Sequence, residues 1–206
     1  MIFQFNDNKS FLVTFWACLL GKIKAVPVHA ASTPETRKKL VNVWSTLDAP
    51  FIIADDPIYQ TLLQKLDFSE LKHFNTDKLV HYSEPNCNEN FAPKIPTIQA
   101  DDIAFIQFSS GSTGNPKGVT LTHKNLITNI QAIINNSGLS EGDSTLGWMP
   151  LTHDLGLIGF HLVPLVCEID QYLIPTEVFV RRPSIWLEKI NEFRITFTAS
   201  PNFGYK

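Results

Sequence analysis

The sequence predicts an α/β domain with a mostly parallel sheet flanked by helices. Short apolar runs of strand length alternate with longer stretches of helical periodicity, and turn-rich connections separate them. Bulk agrees with the pattern. The 206 residues are 44% hydrophobic and 18% charged, which is ordinary globular composition, and a chain of this length buries roughly 70% of its unfolded surface.

In chain order, Ile2–Phe5 reads as the first strand. Ser10 is a candidate N-cap for a helix over Phe11–Leu20, with Gly21 as its stop. Ala25–His29 is the next strand. Ser32-Thr33-Pro34-Glu35 has the marks of a helix start: a cap hydroxyl, an early proline and a first-turn acid. Leu40, Trp44 and Leu47 fall on one face of the helix that follows, with Val43 beside them. Phe51–Ala54 is a short buried strand, and Ile58, Leu62 and Leu66 keep helical spacing. Residues 83–100, with Pro85, Pro93 and Pro96 among Asn and Glu, read as a surface connection. Beyond it, Ile103–Phe108 and Val119–Leu121 are strands on either side of a Gly/Ser/Thr loop, Ser109–Gly118. Leu126, Ile127, Ile130, Ile133 and Ile134 form one helical stripe. Leu146–Met149, Tyr172–Ile174 and Ile195–Thr198 are further strands, and Pro183 opens a helix carrying Trp186, Leu187, Ile190 and Phe193. Trp16, Trp44 and Trp186 read as helix-face core. His73, His81 and His123 have no partners at metal spacing and read as surface residues.

Charge and cysteine content narrow the function. Lys and Arg total 17 against 20 acidic residues, a net charge of −3, so no basic surplus is on hand for nucleic acid. Cys18, Cys87 and Cys167 lie far apart without CxxC spacing, which points to a reduced, cytoplasmic protein without a structural zinc site. The longest apolar stretch, Phe11 to Leu20, is half a membrane span, and no basic n-region precedes an apolar run at Met1. Neither a membrane span nor an export signal is expected.

The most informative stretch is Phe108-Ser109-Ser110-Gly111-Ser112-Thr113-Gly114-Asn115-Pro116-Lys117-Gly118. Glycines let backbone N–H groups approach a phosphate, hydroxyls add donors, and Lys117 adds a point charge. The loop directly follows a strand, where an α/β sheet opens its ligand crevice. It is not a Walker A loop, because Gly118 rather than Ser or Thr follows Lys117, and no GxGxxG can be read. The competing reading of a generic Gly/Ser run is a flexible surface loop.

Ser109–Gly118 resembles the signature loop of the adenylate-forming superfamily: acyl-CoA synthetases, luciferases, nonribosomal-peptide adenylation domains and fatty acyl-AMP ligases. Gly21–Val28 is similar to that family's early Gly-x-x-x-x-Val-Pro-Val segment. Trp148-Met149-Pro150-Leu151-Thr152-His153-Asp154-Leu155-Gly156-Leu157-Ile158-Gly159 resembles its fourth motif in the fatty acyl-AMP ligase form. Arg182-Pro183-x-x-Trp186-Leu187 and Ser200-Pro201-Asn202-Phe203-Gly204-Tyr205 are similar to the same branch, and the resemblance runs over essentially the whole chain.

The resemblance implies attack of a carboxylate on the α-phosphorus of ATP, giving an acyl-AMP. A carboxylate is already ionised near pH 7, so no general base is required, and catalysis is positioning plus charge neutralisation. The implied nucleotide grip is Ser109, Ser110, Gly111, Ser112, Thr113, Gly114, Lys117 and Gly118. His153 is implied, with Lys117, in catalysis, near the acyl carboxylate and α-phosphate. Asp154 has two readings: the counter-charge to a substrate α-ammonium, or a cap for the following helix. Asn202, Phe203, Gly204 and Tyr205 resemble the border of an acyl tunnel, although Phe203 by itself reads as strand-end core.

Implied cofactors are ATP and Mg²⁺. The residues the resemblance assigns to the metal, the ribose and a lysine-bearing lid match nothing in 1–206, so the expectation is a partial AMP-binding domain without its lid, incompetent alone. The implied substrate is a fatty acid and the implied partner a carrier protein's phosphopantetheine thiol. An amino, hydroxy or aryl acid, an acyl-CoA synthetase, and a non-catalytic nucleotide-binding remnant stay open beside these.

Overall fold

Strand β1 (Ile2–Gln4) is buried along its whole length, as a central parallel strand covered on both faces must be. It pairs in parallel with β2 (Val26–Pro27) and β3 (Ile52–Ala54), and β3 pairs in parallel with β4 (Leu79–His81), giving the order β2-β1-β3-β4. Helices α1 (Asn8–Leu20), α2 (Pro34–Thr46) and α3 (Asp56–Lys65) supply the crossovers that parallel strands need. Ile2, Leu40, Trp44, Ile52 and Leu62 form the centre of this core. The computed structural model describes residues 1–84, 94–110 and 116–205, and they divide into two compact units, 1–123 and 124–206.

Local chemistry explains where the helices start. Asp7, not Ser10, caps α1: its carboxylate accepts the Ser10 N–H at 2.8 Å, so the expected cap is instead a buried residue of the first turn. Thr33 and Thr36 form a reciprocal capping box at α2, with Pro34 in the first turn. Asp55 caps α3 through Oδ1 and accepts the Asn6 N–H through Oδ2 at 2.8 Å, tying two strand exits together. The fully buried Gln4 is satisfied by backbone alone, accepting from Ala31 N at 2.7 Å and donating to the carbonyls of Phe3 and His29.

Strands β5 (Ile103–Ser110) and β6 (Pro116–Thr122) form an antiparallel hairpin, an exception to the parallel expectation. The Ile106 N–H donates to the Ala25 carbonyl at 2.8 Å, joining the hairpin to the edge of the parallel sheet beside β2. Strand β4 escaped the sequence reading because three residues, Leu79-Val80-His81, carry too little pattern. Of the expected connection at 83–100, residues 85–93 lie outside the described residues; Ser83, Glu84 and most of 94–100 are exposed.

In the second unit, β7 (Ser144–Gly147) pairs in parallel with β8 (Asp170–Leu173) and β9 (Phe197–Thr198), in the order β8-β7-β9. Helix α4 (His123–Ser137) leads in; it buries Leu126 and Ile130, while Ile127, expected on the same stripe, is 65% exposed. A π-helical segment, Leu155–Leu162, runs into α5 (Val163–Val166) between β7 and β8. Helices α6 (Thr176–Arg181) and α7 (Ser184–Glu192) join β8 to β9. Leu146, Trp148, Met149, Ile174, Phe179 and Trp186 are its core. Trp186 is buried as expected, whereas Leu187 is 67% exposed, Phe193 packs flat on Tyr172 at the surface and Trp16 is only half-buried. In α7 the buried face is narrower than the apolar stripe in the sequence.

Candidate functional site

The expected phosphate loop is the end of the β5–β6 hairpin. Both strands reach into the stretch read as loop: Ser109 lies opposite Lys117 and Ser110 opposite Pro116. Only Gly111, Ser112, Thr113, Gly114 and Asn115 remain between the strands, and they lie outside the described residues. Ser109, Lys117 and Gly118 are exposed. Gly118 has a packing reason to be glycine: a Cβ there would come 3.0 Å from Cζ of its cross-strand neighbour Phe108 and 3.1 Å from Ile106 Cγ2. Phe108 and Ile106 themselves pack on the core of the first unit, so the hairpin is held to that core up to the Phe108–Gly118 pair, next to exposed Lys117.

In the second unit, parallel pairing sets Thr145 against Phe197 and Leu146 against Thr198. The carboxyl ends of β7 and β9 therefore emerge side by side, the place where open α/β sheets bind ligands. Opposite them, the Thr196 hydroxyl donates to Asp143 at 2.7 Å and accepts from Ser144 N at 3.0 Å, fixing the strand entries; this holds the Asp143 carboxyl below its ordinary value. At the exits, Trp148 follows β7 directly, and its ring meets Phe203 edge-on at 5.9 Å. Tyr205 leans on Trp186 at 5.3 Å. The two sequence motifs, 148–159 and 200–205, thus converge on one strand end.

The chain turns sharply after Trp148. The His153 N–H donates to the Pro150 carbonyl at 2.9 Å, closing a turn, and Asp154 caps the π-helical segment by accepting the Leu155 N–H at 2.7 Å. A Cβ on Gly156 would meet the Pro150 carbonyl oxygen at 2.2 Å and that of Met149 at 2.7 Å, so only glycine lets the helix lie on the turn. His153 Nδ1 is 2.6 Å from Asp154 Oδ1 and 3.2 Å from Leu155 N. One ring nitrogen cannot both donate to Asp154 and accept from Leu155; the shorter contact favours a proton on Nδ1 directed at Asp154. Nε2 is then the ring's unprotonated nitrogen in the neutral tautomer. At the far end of the π-helical segment, buried His161 pairs with Gln171 of β8 at 2.8 Å, and burial pushes its imidazole below the usual 6.5 while that hydrogen bond opposes the shift.

Of the expected substrate residues, His153 and Asp154 share one turn, and Phe203, Gly204 and Tyr205 share the neighbouring one. Asp154 is exposed and accepts the Leu155 N–H as a cap. Phe203 is 66% exposed and corrects its reading as strand-end core; Asn202 is exposed as well. Sequence reading does not single out Trp148, which lies where the two motifs meet, although its place at the head of the 148–159 motif is a signal. It also passed over His161, whose lone imidazole in the apolar run 155–166 was another. Among the described residues, no three His, Cys, Asp or Glu side chains are grouped to hold a metal ion. No described helix is long and apolar enough to cross a membrane.

Comparison with known proteins gives a consistent picture. A family model described as AMP-binding enzyme matches residues 5–204. The medium-chain-fatty-acid–[acyl-carrier-protein] ligase JamA of Moorena producens (strain JHB) is 30% identical over 98% of this chain and 34% of that protein. The long-chain-fatty-acid–AMP ligase FadD32 of Mycobacterium marinum (strain ATCC BAA-535 / M) is 38% identical over 97% of this chain and 32% of that protein. Among solved structures, the McyG A-PCP complexed with phenylalanyl-adenylate superimposes with a TM-score of 0.89 at 31% identity, covering 99% of this chain and 32% of that one. The fatty acyl-adenylate ligase from L. pneumophila in complex with acyl adenylate and pyrophosphate gives a TM-score of 0.84 at 25% identity, over 99% of this chain and 35% of that one. The chain spans about a third of the length of each of these relatives.

Proposed function

The chain belongs to the AMP-binding enzyme family, and we propose that it supplies the nucleotide-gripping hairpin and part of the acyl pocket for adenylation of a fatty acid. The observation that carries this reading is the convergence of segments 148–159 and 200–205 at the carboxyl ends of β7 and β9. In the reaction, a carboxylate oxygen forms a bond to the α-phosphorus of ATP while the bond from that phosphorus to the bridging oxygen breaks. Pyrophosphate leaves with the electron pair, and no proton needs to move.

The chain's own residues position and neutralise. Lys117 and the hydroxyls and backbone N–H groups of Ser109–Gly118 hold the β- and γ-phosphates; an exposed lysine at the end of an anchored hairpin fits that task. His153, its Nδ1 occupied by Asp154, offers Nε2 to the acyl carboxylate or α-phosphate, donating when the ring carries both protons. Magnesium would supply charge neutralisation between the phosphates; the described acidic residues are not grouped to hold it. The acceptor of the acyl group is a carrier protein's phosphopantetheine thiol, a reading supported by the carrier-protein ligases among the relatives; the setting is cytoplasmic, a reading supported by three cysteines without CxxC spacing.

A second reading, an amino or aryl acid as substrate, is favoured by the similarity to the McyG structure with phenylalanyl-adenylate. The capping role and exposure of Asp154 speak against it, since an α-ammonium needs a sheltered counter-charge. The test is thermal unfolding of the chain with ATP·Mg²⁺, dodecanoate or phenylalanine, run beside mass-spectrometric detection of acyl-AMP. Stabilisation by ATP and by dodecanoate, without turnover by residues 1–206, is the expected outcome. Absence of any ATP stabilisation at millimolar concentration would leave only a non-catalytic remnant, and stabilisation by phenylalanine instead of dodecanoate would reverse the substrate assignment.

A further inference from the structure

Two buried indoles in this protein have hydrogen-bond partners. Trp44 Nε1 donates to the Lys72 carbonyl at 3.0 Å, and Trp186 Nε1 donates to the Thr198 hydroxyl at 2.9 Å. Trp148 is as deeply buried, at 2% exposure, yet its Nε1 has no hydrogen-bond partner among the described residues. A buried donor left unpaired is costly, and native proteins rarely keep one without a use.

The surroundings of this N–H are specific. One face of the Trp148 ring is stacked on Phe179 at 3.8 Å, and Trp186 and Phe203 meet it edge-on at 6.3 and 5.9 Å. Aromatic neighbours are at best weak substitutes for an oxygen acceptor. A Cβ on Gly204 would come 2.8 Å from Trp148 Cζ2, the ring carbon two bonds from Nε1. Segment 200–205 therefore covers the edge of the indole that carries the unpaired N–H, and in that segment Phe203 is largely exposed to solvent.

We propose that Trp148 is a specificity residue of the acyl pocket, its indole N–H donating to a hydroxyl or keto oxygen on the chain of the carboxylic acid. This rests on the reading of the strand-end turns as an acyl site. Trp148 and His153 are five residues apart in one folded turn, so the oxygen falls within the first several carbons from the carboxylate. The physical basis is asymmetric: a site with a committed donor rejects the analogue that leaves that donor unpaired, far more strongly than an apolar wall rejects an extra hydroxyl.

The test uses ¹⁵N-labelled protein and the indole N–H resonances, with the Trp148 signal assigned from the Trp148→Phe variant. Dodecanoate, 2-hydroxydodecanoate and 3-hydroxydodecanoate are titrated separately with ATP·Mg²⁺ present. At least one hydroxy acid should bind about tenfold or more tightly than dodecanoate and move the Trp148 indole proton downfield, while dodecanoate leaves that proton in place. Trp148→Phe, which keeps a ring on Phe179, should bring the three affinities together. Equal binding of all three acids with an unmoved Trp148 signal overturns the proposal and leaves the acyl site standing. Binding of none of them removes the acyl-site reading, and this one with it. Because the decisive shift is read in the wild-type protein, a poorly folded variant does not rescue the idea.

Discussion

The hairpin end of the first unit and the strand-end turns of the second are both rich in glycine and hydroxyl residues, but they are built on opposite plans. The hairpin is held through its β5 strand, where Ile106 bonds to Ala25 and Phe108 packs on the core, and beyond that its polar residues Ser109 and Lys117 are exposed. The strand-end turns are wedged. Gly156 rests on two backbone carbonyls, Gly204 on Ser200 and the Trp148 ring, and buried Trp148 underlies Phe203. A site for a highly charged, solvated phosphate can project from a sheet edge, whereas a site for an apolar chain must be walled. Substitutions should therefore separate the regions: binding without stability in the first, and stability before binding in the second.

The largest effect is expected in the wedge. Gly156→Ala places a Cβ 2.2 Å from the Pro150 carbonyl oxygen, a backbone atom that cannot rotate away. The loss of stability should reach or exceed the upper end of the roughly 1–3 kcal/mol typical of overpacking. A shift of the urea midpoint at unchanged slope measures it, and a neutral result would mean that the turn yields freely. Lys117→Ala should do the reverse. Removing a charge that reaches a phosphate is worth about 1.5–3 kcal/mol of binding, so ATP should bind some ten- to a hundredfold more weakly, with the unfolding midpoint in place. Unaltered ATP affinity would take the hairpin out of the nucleotide site.

An intermediate effect belongs to Asp154. As the cap of the π-helical segment it should contribute about 1 kcal/mol, and Asp154→Asn, which keeps an acceptor for the Leu155 N–H, should restore most of what Asp154→Ala loses. Binding of dodecanoate should survive both. If phenylalanine binds the wild type and Asp154→Asn abolishes that binding, the carboxylate is a counter-charge after all.

How much of this was legible beforehand follows the same division. The hairpin's chemistry is written in consecutive residues, so Ser109–Gly118 could be picked out without a structure; what could not be seen was that Ser109, Ser110, Pro116 and Lys117 are paired strand residues, because register is a tertiary property. The parallel strands were recognisable as apolar runs, apart from Leu79–His81, which is too short to register a period. Ser10 fits a cap by residue type, but an aspartate three residues earlier offers the stronger acceptor. In the second unit the motif residues were found, yet the partnership between Trp148 and Gly204 joins residues 56 apart in sequence and arises only from the β7–β9 pairing. Periodicity also overstated the buried faces, as Ile127 and Leu187 show: an apolar residue at helical spacing need not be covered.

The smallest effect should come from Gly118, and it sharpens the comparison most. Both Gly118 and Gly156 lie in motifs where glycine is naturally explained by close approach of a phosphate or a backbone. The nearest described atoms to a Cβ on Gly118, however, would be side-chain atoms, Phe108 Cζ at 3.0 Å and Ile106 Cγ2 at 3.1 Å. Those atoms can give by a few tenths of an ångström, and replacing glycine lowers the entropy of the unfolded chain, a gain of about 0.4–1 kcal/mol that offsets the crowding. Gly118→Ala should thus shift stability by less than about 1 kcal/mol in either direction. Its Cβ would point at Phe108, which packs on the core, so ATP should stabilise the variant as much as the wild type. Thermal unfolding of both proteins over an ATP·Mg²⁺ titration is the measurement. Loss of ATP stabilisation in a variant that still folds would show that the backbone at Gly118 itself approaches the phosphates, and that the hairpin, like the turns, depends on a close fit rather than on exposed charge.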